Sequence, residues 1–73
     1  MSIVPILSAR IVVRKLLRAG FVLIHQRGSH AKLWHPITKR TVTIPIHPGD
    51  LGRKAIAGIL KQAGLTVQKF LKL

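Results

Sequence analysis

Histidine and basic side chains are the residues of this sequence that could do chemistry. The 73 residues include four histidines and thirteen lysines and arginines. Imidazole can accept or donate a proton near neutral pH, because its unperturbed pKa is about 6.5. Lysine and arginine can stabilise the negative charge that develops on a reacting phosphate. Together these residue types could support acid–base chemistry at a phosphate group, with imidazole moving protons and cations holding the phosphate.

Acidic residues are almost absent, because Asp50 is the only carboxylate side chain. This scarcity argues against carboxylate-based mechanisms and against a nuclease with two Mg²⁺ ions, which needs clustered oxygen ligands. The sequence has no cysteine, so it has neither disulfides nor a thiolate zinc site. The spacing of the histidines also matches no compact zinc motif. We therefore predict no metal and no cofactor, and metal-independent catalysis if the chain is an enzyme.

The net charge of +12 is the strongest global signal. No internal ion pairing can neutralise such an excess, so the surface must attract polyanions. Nucleic acid is the predicted partner, since binding to phosphates releases counterions. An acidic protein or an anionic membrane surface would satisfy the same electrostatics. A basic RNA-binding protein of the ribosomal type is also consistent with this composition.

His30 is the best placed of the histidines. It follows the turn-forming pair Gly28 and Ser29 and opens a predicted strand. Strand alternation then puts Lys32 and Trp34 on the same face as His30. On this interpretation Lys32 holds a phosphate and Trp34 stacks on a splayed base. The simpler alternatives are an ordinary histidine at the end of a strand and a partly buried tryptophan.

The remaining candidates are weaker. Arg27, beside the turn, is a candidate phosphate contact, although an exposed turn accommodates any arginine. His47 lies between two prolines just past the third predicted strand. It could be the second proton carrier, but a structural loop role is favoured. His25 and His35 are interpreted as packing or turn residues.

The pattern of apolar residues predicts a single α+β domain over residues 1–73 with the order α-β-β-β-α. Ser8 is a suitable N-cap and Gly20 a suitable stop for the first helix. Hairpin-length loops make the three strands antiparallel, with two helices packed on the sheet. Thr66 caps a further short C-terminal helix. The predicted helices span 9–19 and 53–63, and the predicted strands span 21–26, 30–35 and 41–46.

Side-chain periodicity also predicts the core. In the sheet, Pro45 indicates an edge strand or the end of a strand, and residues 47–50 form a loop. Leu71 docks on the core beside Phe70. The residues predicted to face the core are Val12, Val13, Leu16 and Leu17 in the first helix, Ala31, Leu33 and His35 in the second strand, Val42, Ile44 and Ile46 in the third, and Ile56, Ile59, Leu60 and Ala63 in the second helix.

The sequence gives no sign of membrane insertion or export. No apolar run approaches the ~20 residues needed to cross a bilayer. The first seven residues lack the basic start of a signal peptide, and Pro5 interrupts their apolar stretch. We therefore expect a cytoplasmic location and no membrane partner.

Five short motifs follow one another along the chain. They are Gly20-Phe21, Arg27-Gly28-Ser29-His30, His35-Pro36, Pro45-x-His47 and Ile59-Leu60-Lys61-Gln62-Ala63-Gly64-Leu65. In this order and at this spacing they resemble the HicA family of toxin–antitoxin mRNA interferases. Each motif alone is common, but five at the family's spacing in a chain of this length are specific. The resemblance extends from about Ser8 to Leu71, nearly the whole chain.

This resemblance implies a fold like that of a double-stranded RNA-binding domain, which agrees with the predicted order of elements. It also implies an endoribonuclease that cleaves mRNA without a cofactor and is inhibited by a HicB antitoxin. The catalytic residue of the family carries over to His30. We expect an acidic HicB-like partner that covers the face bearing His30. The alternative is a non-catalytic RNA-binding module in which His30 only contacts a phosphate or a 2′-hydroxyl.

Overall fold

The computed structural model describes residues 3–73 of the chain. Met1 and Ser2 lie outside the described residues, so the predictions for the domain start and for a signal peptide are not tested there. The elements are β1 (Leu7–Ser8), α1 (Ala9–Arg18), β2 (Val22–Arg27), β3 (His30–Trp34), β4 (Thr41–Pro45), β5 (Asp50–Leu51), α2 (Arg53–Ala63) and α3 (Val67–Leu71).

The main sheet has three antiparallel strands in the order β2-β3-β4, so β3 is central and β4 is an edge. The predicted α+β architecture, with helices packed on a three-stranded antiparallel sheet, is therefore confirmed. Pro45 ends the edge strand β4, as predicted. The prediction missed a second small sheet, in which β1 pairs with β5. Asp50 thus belongs to a strand, not to the predicted loop. A strand of two residues is too short to show the alternation of side chains by which strands are predicted from sequence.

Helix α1 begins where the sequence predicted. The side chain of Ser8 accepts a hydrogen bond from the backbone N–H of Ile11 at 3.3 Å. Val12 and Leu16 are fully buried. Leu17 was expected in the same apolar face but is 45% exposed. Successive residues of an α-helix are about 100° apart, so Leu17 points to the side of the buried Leu16.

Helix α2 has the predicted bounds, and its end is tied to the sheet edge. Gly64 adopts the left-handed conformation, with a φ of 72°, and its N–H bonds back to the last turn. The side chain of Gln62 accepts a hydrogen bond from the backbone N–H of Thr43 at 3.2 Å. Gln62 therefore satisfies a donor on the free edge of β4, which explains a polar residue at this helix end.

The short C-terminal helix α3 closes the core from one side. Thr66 caps it by accepting a hydrogen bond from the N–H of Lys69 at 3.1 Å. Phe70 is fully buried, as predicted, but Leu71 is 48% exposed. A five-residue helix presents only one side to the core, and Phe70 occupies it.

The core lies between the helices and one face of β3 and β4. Strand β2 contributes nothing to it, since all six of its residues are exposed. Phe21, just before β2, is buried instead. The fully or nearly fully buried side chains are Ala9, Val12, Leu16, Phe21, Ala31, Leu33, Val42, Ile44, Leu51, Ile56, Ile59, Leu60, Ala63 and Phe70.

The side chain of His35 joins the end of α1 to the turn after β3 through hydrogen bonds. Its Nδ1 accepts hydrogen bonds from the N–H groups of Ile37 and Thr38, at 3.1 and 3.3 Å. The ring proton is therefore on Nε2, which donates to the carbonyl oxygen of Ala19 at 3.1 Å. The prediction that His35 is a turn or packing residue is confirmed. The strand was predicted to run to about His35, and β3 ends one residue earlier, at Trp34.

The packing around His35 explains why a phenylalanine and a glycine occupy positions 21 and 20. The ring of Phe21 meets it edge to face, with centroids 5.0 Å apart and planes at 83°. Gly20 has a φ of 103°, and a Cβ there would lie 2.8 Å from Nε2 of His35. Gly20 thus serves both the left-handed backbone and the close approach of the imidazole.

Replacing His35 with phenylalanine should lower the free energy of unfolding by about 2 kcal/mol, because three backbone groups lose their side-chain partner. Denaturant unfolding followed by circular dichroism measures this change. The matched control is His25→Phe on the exposed strand β2, where a change within about 0.5 kcal/mol is expected. Equal losses in the two variants would contradict the assigned role of His35.

Candidate functional site

The turn before β3 places His30 at the end of the central strand. Gly28 and Ser29 form the two-residue connection between β2 and β3, and Gly28 has a φ of 54°. Tight hairpins require such a positive φ, which glycine adopts without strain. The N–H of Ile46 donates to the carbonyl oxygen of Ser29 and ties the turn to the end of β4. The turn is therefore held from both neighbouring strands.

His30 is exposed and sits between one residue from each neighbouring strand. It pairs with Arg27 of β2 and with Pro45 of β4. The hydroxyl of Ser29 lies 3.5 Å from Nδ1 of His30, within hydrogen-bond reach. Among residues 3–73, Nε2 of His30 has no hydrogen-bond partner. The outward nitrogen of the ring is therefore open to a ligand.

Strand β3 divides its side chains between two faces. Ala31 and Leu33 are buried against the helices, whereas His30 and Lys32 are exposed and Trp34 is half-buried on the other side. We call this second side the outer face of the sheet. The predicted alternation of these five residues is confirmed, so the two candidate RNA contacts share the face of His30.

A β-bulge interrupts β2 opposite Lys32. Leu23 pairs with Leu33, but the next pair along the ladder joins His25 to Lys32, which leaves Ile24 as an extra residue. Such bulges redirect the side chains that follow them, and they recur beside active sites.

The bulge decides which face β2 presents to His30. Counting strictly by twos from Leu23 would put His25 and Arg27 on the helix side of the sheet. The extra residue shifts both to the outer face, where Arg27 pairs with His30. The interpretation of His25 as a packing or turn residue is therefore wrong. No sequence signal marked the bulge, because the apolar residues before it do not alternate with polar ones.

Trp34 lies at the far end of the outer face. The ammonium group of Lys39 is 5.1 Å from the centroid of its ring, a cation–π distance. Lys39 comes from the turn between β3 and β4, where its φ is 64°. The half-buried ring combines partial packing with an accessible side that carries positive charge.

His47 follows β4 beyond Pro45 and is exposed. Because Pro45 pairs with His30 and Ile46 bonds to Ser29, the backbone of His47 runs beside the hairpin turn. Its Nδ1 donates to the carbonyl oxygen of Pro48 at 3.0 Å, which leaves Nε2 as the nitrogen able to take a proton. The structure thus brings His47 to the same end of the sheet as His30.

An apolar groove lies on the opposite side of the sheet from His30. It has a volume of about 350 Å³, and its lining is almost entirely apolar. Such a lining does not suit the handling of a charged phosphate. Helix α1, the helix side of the sheet and the segment after β4 contribute to it. The lining residues are Arg10, Val13, Leu23, Gln26, Ala31 and Ile46.

Residues 3–73 contain neither a grouped set of metal ligands nor a membrane-spanning helix. No three His, Cys, Asp or Glu side chains in this part of the chain are grouped so that they could hold a metal ion. None of the described helices combines the length and apolar character needed to span a bilayer.

The sequence motifs fall into two structural groups. Gly20-Phe21 meets His35, and the motif containing Gln62 joins α2 to β4, so these serve the fold. The Gly-Ser-His turn and the Pro45-x-His47 segment instead meet at the exposed end of the sheet.

Comparison with known proteins identifies the family of this chain. A family model described as the HicA toxin of bacterial toxin–antitoxin systems matches residues 9–65, which is more than half of the chain. No curated protein matches the sequence. The chain therefore belongs to the HicA family of toxins of bacterial toxin–antitoxin systems.

Proposed function

We propose that this toxin is a metal-independent endoribonuclease that cleaves mRNA, with His30 as its catalytic residue. The observation that supports this most is the exposed imidazole of His30, whose Nε2 is free while Ser29 lies beside Nδ1. The ring is held at the end of the central strand, next to the exposed cation Arg27. The family assignment supports the toxin role.

The proposed reaction uses the nucleophile that RNA itself carries. His30 takes the proton of the 2′-hydroxyl, the 2′-oxygen bonds to phosphorus, and the bond from phosphorus to the 5′-oxygen breaks. The leaving 5′-oxygen receives a proton from a second carrier, for which His47 is our candidate. The products are a 2′,3′-cyclic phosphate and a 5′-hydroxyl, and no metal or cofactor takes part.

The other candidate residues bind the substrate in this proposal. Arg27 and Lys32 flank the reacting phosphate and stabilise the charge it gains. Gly28 has no side chain and Ser29 has a small one, so the RNA backbone can approach the turn closely. Trp34 stacks on a base at the other end of the outer face.

The toxin role implies a neutralising partner. We propose an acidic antitoxin of the HicB type that covers the outer face and blocks access to His30, with both proteins in the cytoplasm. The charge of +12 on the toxin favours an acidic protein for this task.

A second candidate is an RNA-binding module without catalysis. It is favoured by the absence, within residues 3–73, of any hydrogen bond between His30 and a second titratable side chain. In that case the outer face would bind RNA and His30 would contact only a phosphate or a 2′-hydroxyl.

Cleavage of RNA in excess EDTA distinguishes the two candidates. We expect the wild-type chain to cleave and His30→Ala to be slower by about 10²–10⁴-fold, the usual effect of losing a general acid or base. Gln68→Ala, an exposed change in α3, is the control and should cleave at the wild-type rate. Equal cleavage by wild type and His30→Ala would assign the activity to another residue or to a contaminant.

Phosphate contacts of the outer face should be visible in the salt dependence of RNA binding. In a His30→Ala background, Lys32→Ala should reduce the slope of log affinity against log salt by about 1, since one fewer counterion is released. Lys54→Ala, an exposed change in α2 on the other side of the sheet, should leave the slope unchanged. Fluorescence anisotropy with a labelled RNA measures both. Identical slopes for the two variants would exclude Lys32 as a phosphate contact.

A further inference from the structure

We propose that the apolar groove on the helix side of β2 is a docking site for an acidic protein segment, which inserts an apolar side chain there. This inference rests on the proposed function, in which an acidic antitoxin controls the toxin. It adds the place where that partner is anchored, on the side of the sheet away from His30.

The groove exists because the helices do not cover the side of β2 that faces them. Both helices pack against β4, and the buried side chains of the sheet come from β3 and β4. Leu23 and Gln26 pair with buried residues of β3, so they face the helix side, yet both are exposed. Leu23 is 42% exposed. An apolar side chain on the core side of a sheet is normally covered, and here residues 3–73 cover Leu23 only in part.

The shape of the groove fits a side chain of another protein. Val13 of α1 and Leu23 of β2 form part of its walls, and Ala31 lies between the strands as a small residue. Its volume of about 350 Å³ is at the lower end of the ~300–1,000 Å³ typical of small-molecule pockets. It is also open to solvent rather than enclosed. Leu17, one turn beyond Val13 on α1, extends the exposed apolar surface.

The positive charge of this chain indicates which kind of molecule binds in the groove. A second copy of this chain would bring another +12 against a surface whose only carboxylate side chain is Asp50, so self-association is opposed. RNA complements the charge but offers no apolar side chain to the groove. An acidic protein offers both, with carboxylates for Arg10 at the groove and for the exposed Arg14 one turn along α1.

The location of the groove gives the partner a short route to the catalytic face. Strand β2 is the edge of the sheet, so one strand separates the groove from the outer face. A partner anchored beside Leu23 needs only to cross the edge of β2 to cover His30. Anchoring and blocking would then depend on different residues, which mutations can separate.

The probe is the small acidic protein that we expect the neighbouring reading frame to encode, and isothermal titration calorimetry measures its binding in a His30→Ala background. Leu23→Glu should weaken binding by about 30-fold or more, as expected for an anchor residue. Leu23→Ala, which adds no charge, is the second variant and should weaken it less. The controls are Ile37→Glu, at a site 83% exposed on the turn after β3, and Leu71→Glu in α3, and both should bind like the parent.

RNA cleavage by Leu23→Glu, with His30 intact, separates this proposal from the proposed function. Unchanged cleavage together with weakened antitoxin binding supports the groove as the anchor. Unchanged antitoxin binding by both Leu23 variants overturns the anchor and leaves the nuclease proposal standing. Failure of the wild-type chain to cleave RNA overturns the nuclease proposal instead.

Three further results would also overturn the anchor. The first is no antitoxin binding by the parent chain. The second is a dimer in sedimentation that Leu23→Glu dissociates, which would make a second copy the occupant. The third is loss of RNA binding by Leu23→Glu with unchanged melting, which would make the groove part of the RNA surface.

Discussion

The division of β3 into two faces is the constraint on which the rest of the structure depends. Its buried side chains, Ala31 and Leu33, hold the sheet against the helices. Its exposed side chains, His30 and Lys32, are thereby fixed on the opposite side with no freedom to turn inward. A slip of one residue in register would bury an imidazole and an ammonium and expose the centre of the core. The stability of the core and the placement of the candidate site are therefore one property of this strand.

Charge sets a second constraint, because the molecule cannot neutralise itself. One carboxylate side chain faces thirteen cations, so the exposed surface repels itself and the fold depends on apolar burial. In a domain of this size such burial is limited. Hydrogen bonds from polar side chains near the core accordingly join elements of the fold to one another. His35 joins a helix end to a turn, and Gln62 joins a helix end to a sheet edge.

Much of the fold follows from local signals in the sequence. Ser8 and Thr66 marked the starts of helices correctly, because an N-cap acts through its own side chain on a backbone N–H three residues away. The burial of Leu17 and Leu71 was predicted wrongly, since periodicity gives the apolar side of a helix but not the width of the surface it meets.

The sequence likewise predicted some features of the candidate site correctly and missed others. The face shared by His30, Lys32 and Trp34 follows from alternation alone. The position of His25 does not, because it depends on a bulge in the pairing of two strands. His35 was recognisable as a structural residue, and its hydrogen bonds with Ile37 and Thr38 are local. Its third hydrogen bond, to Ala19 at the end of α1, joins segments that are distant in sequence, and the local pattern does not indicate it.

The single extra residue in β2 connects the two surfaces of the sheet. With Ile24 bulged out, Leu23 stays on the helix side while Arg27 turns to the outer face beside His30. A regular strand could satisfy only one of these positions. If Leu23 kept its place, Arg27 would point towards the groove, and if Arg27 kept its place, Leu23 would leave the groove. Because bulges remain fixed by the ladder on either side of them, this edge strand can present an apolar surface to one ligand and a cation to another.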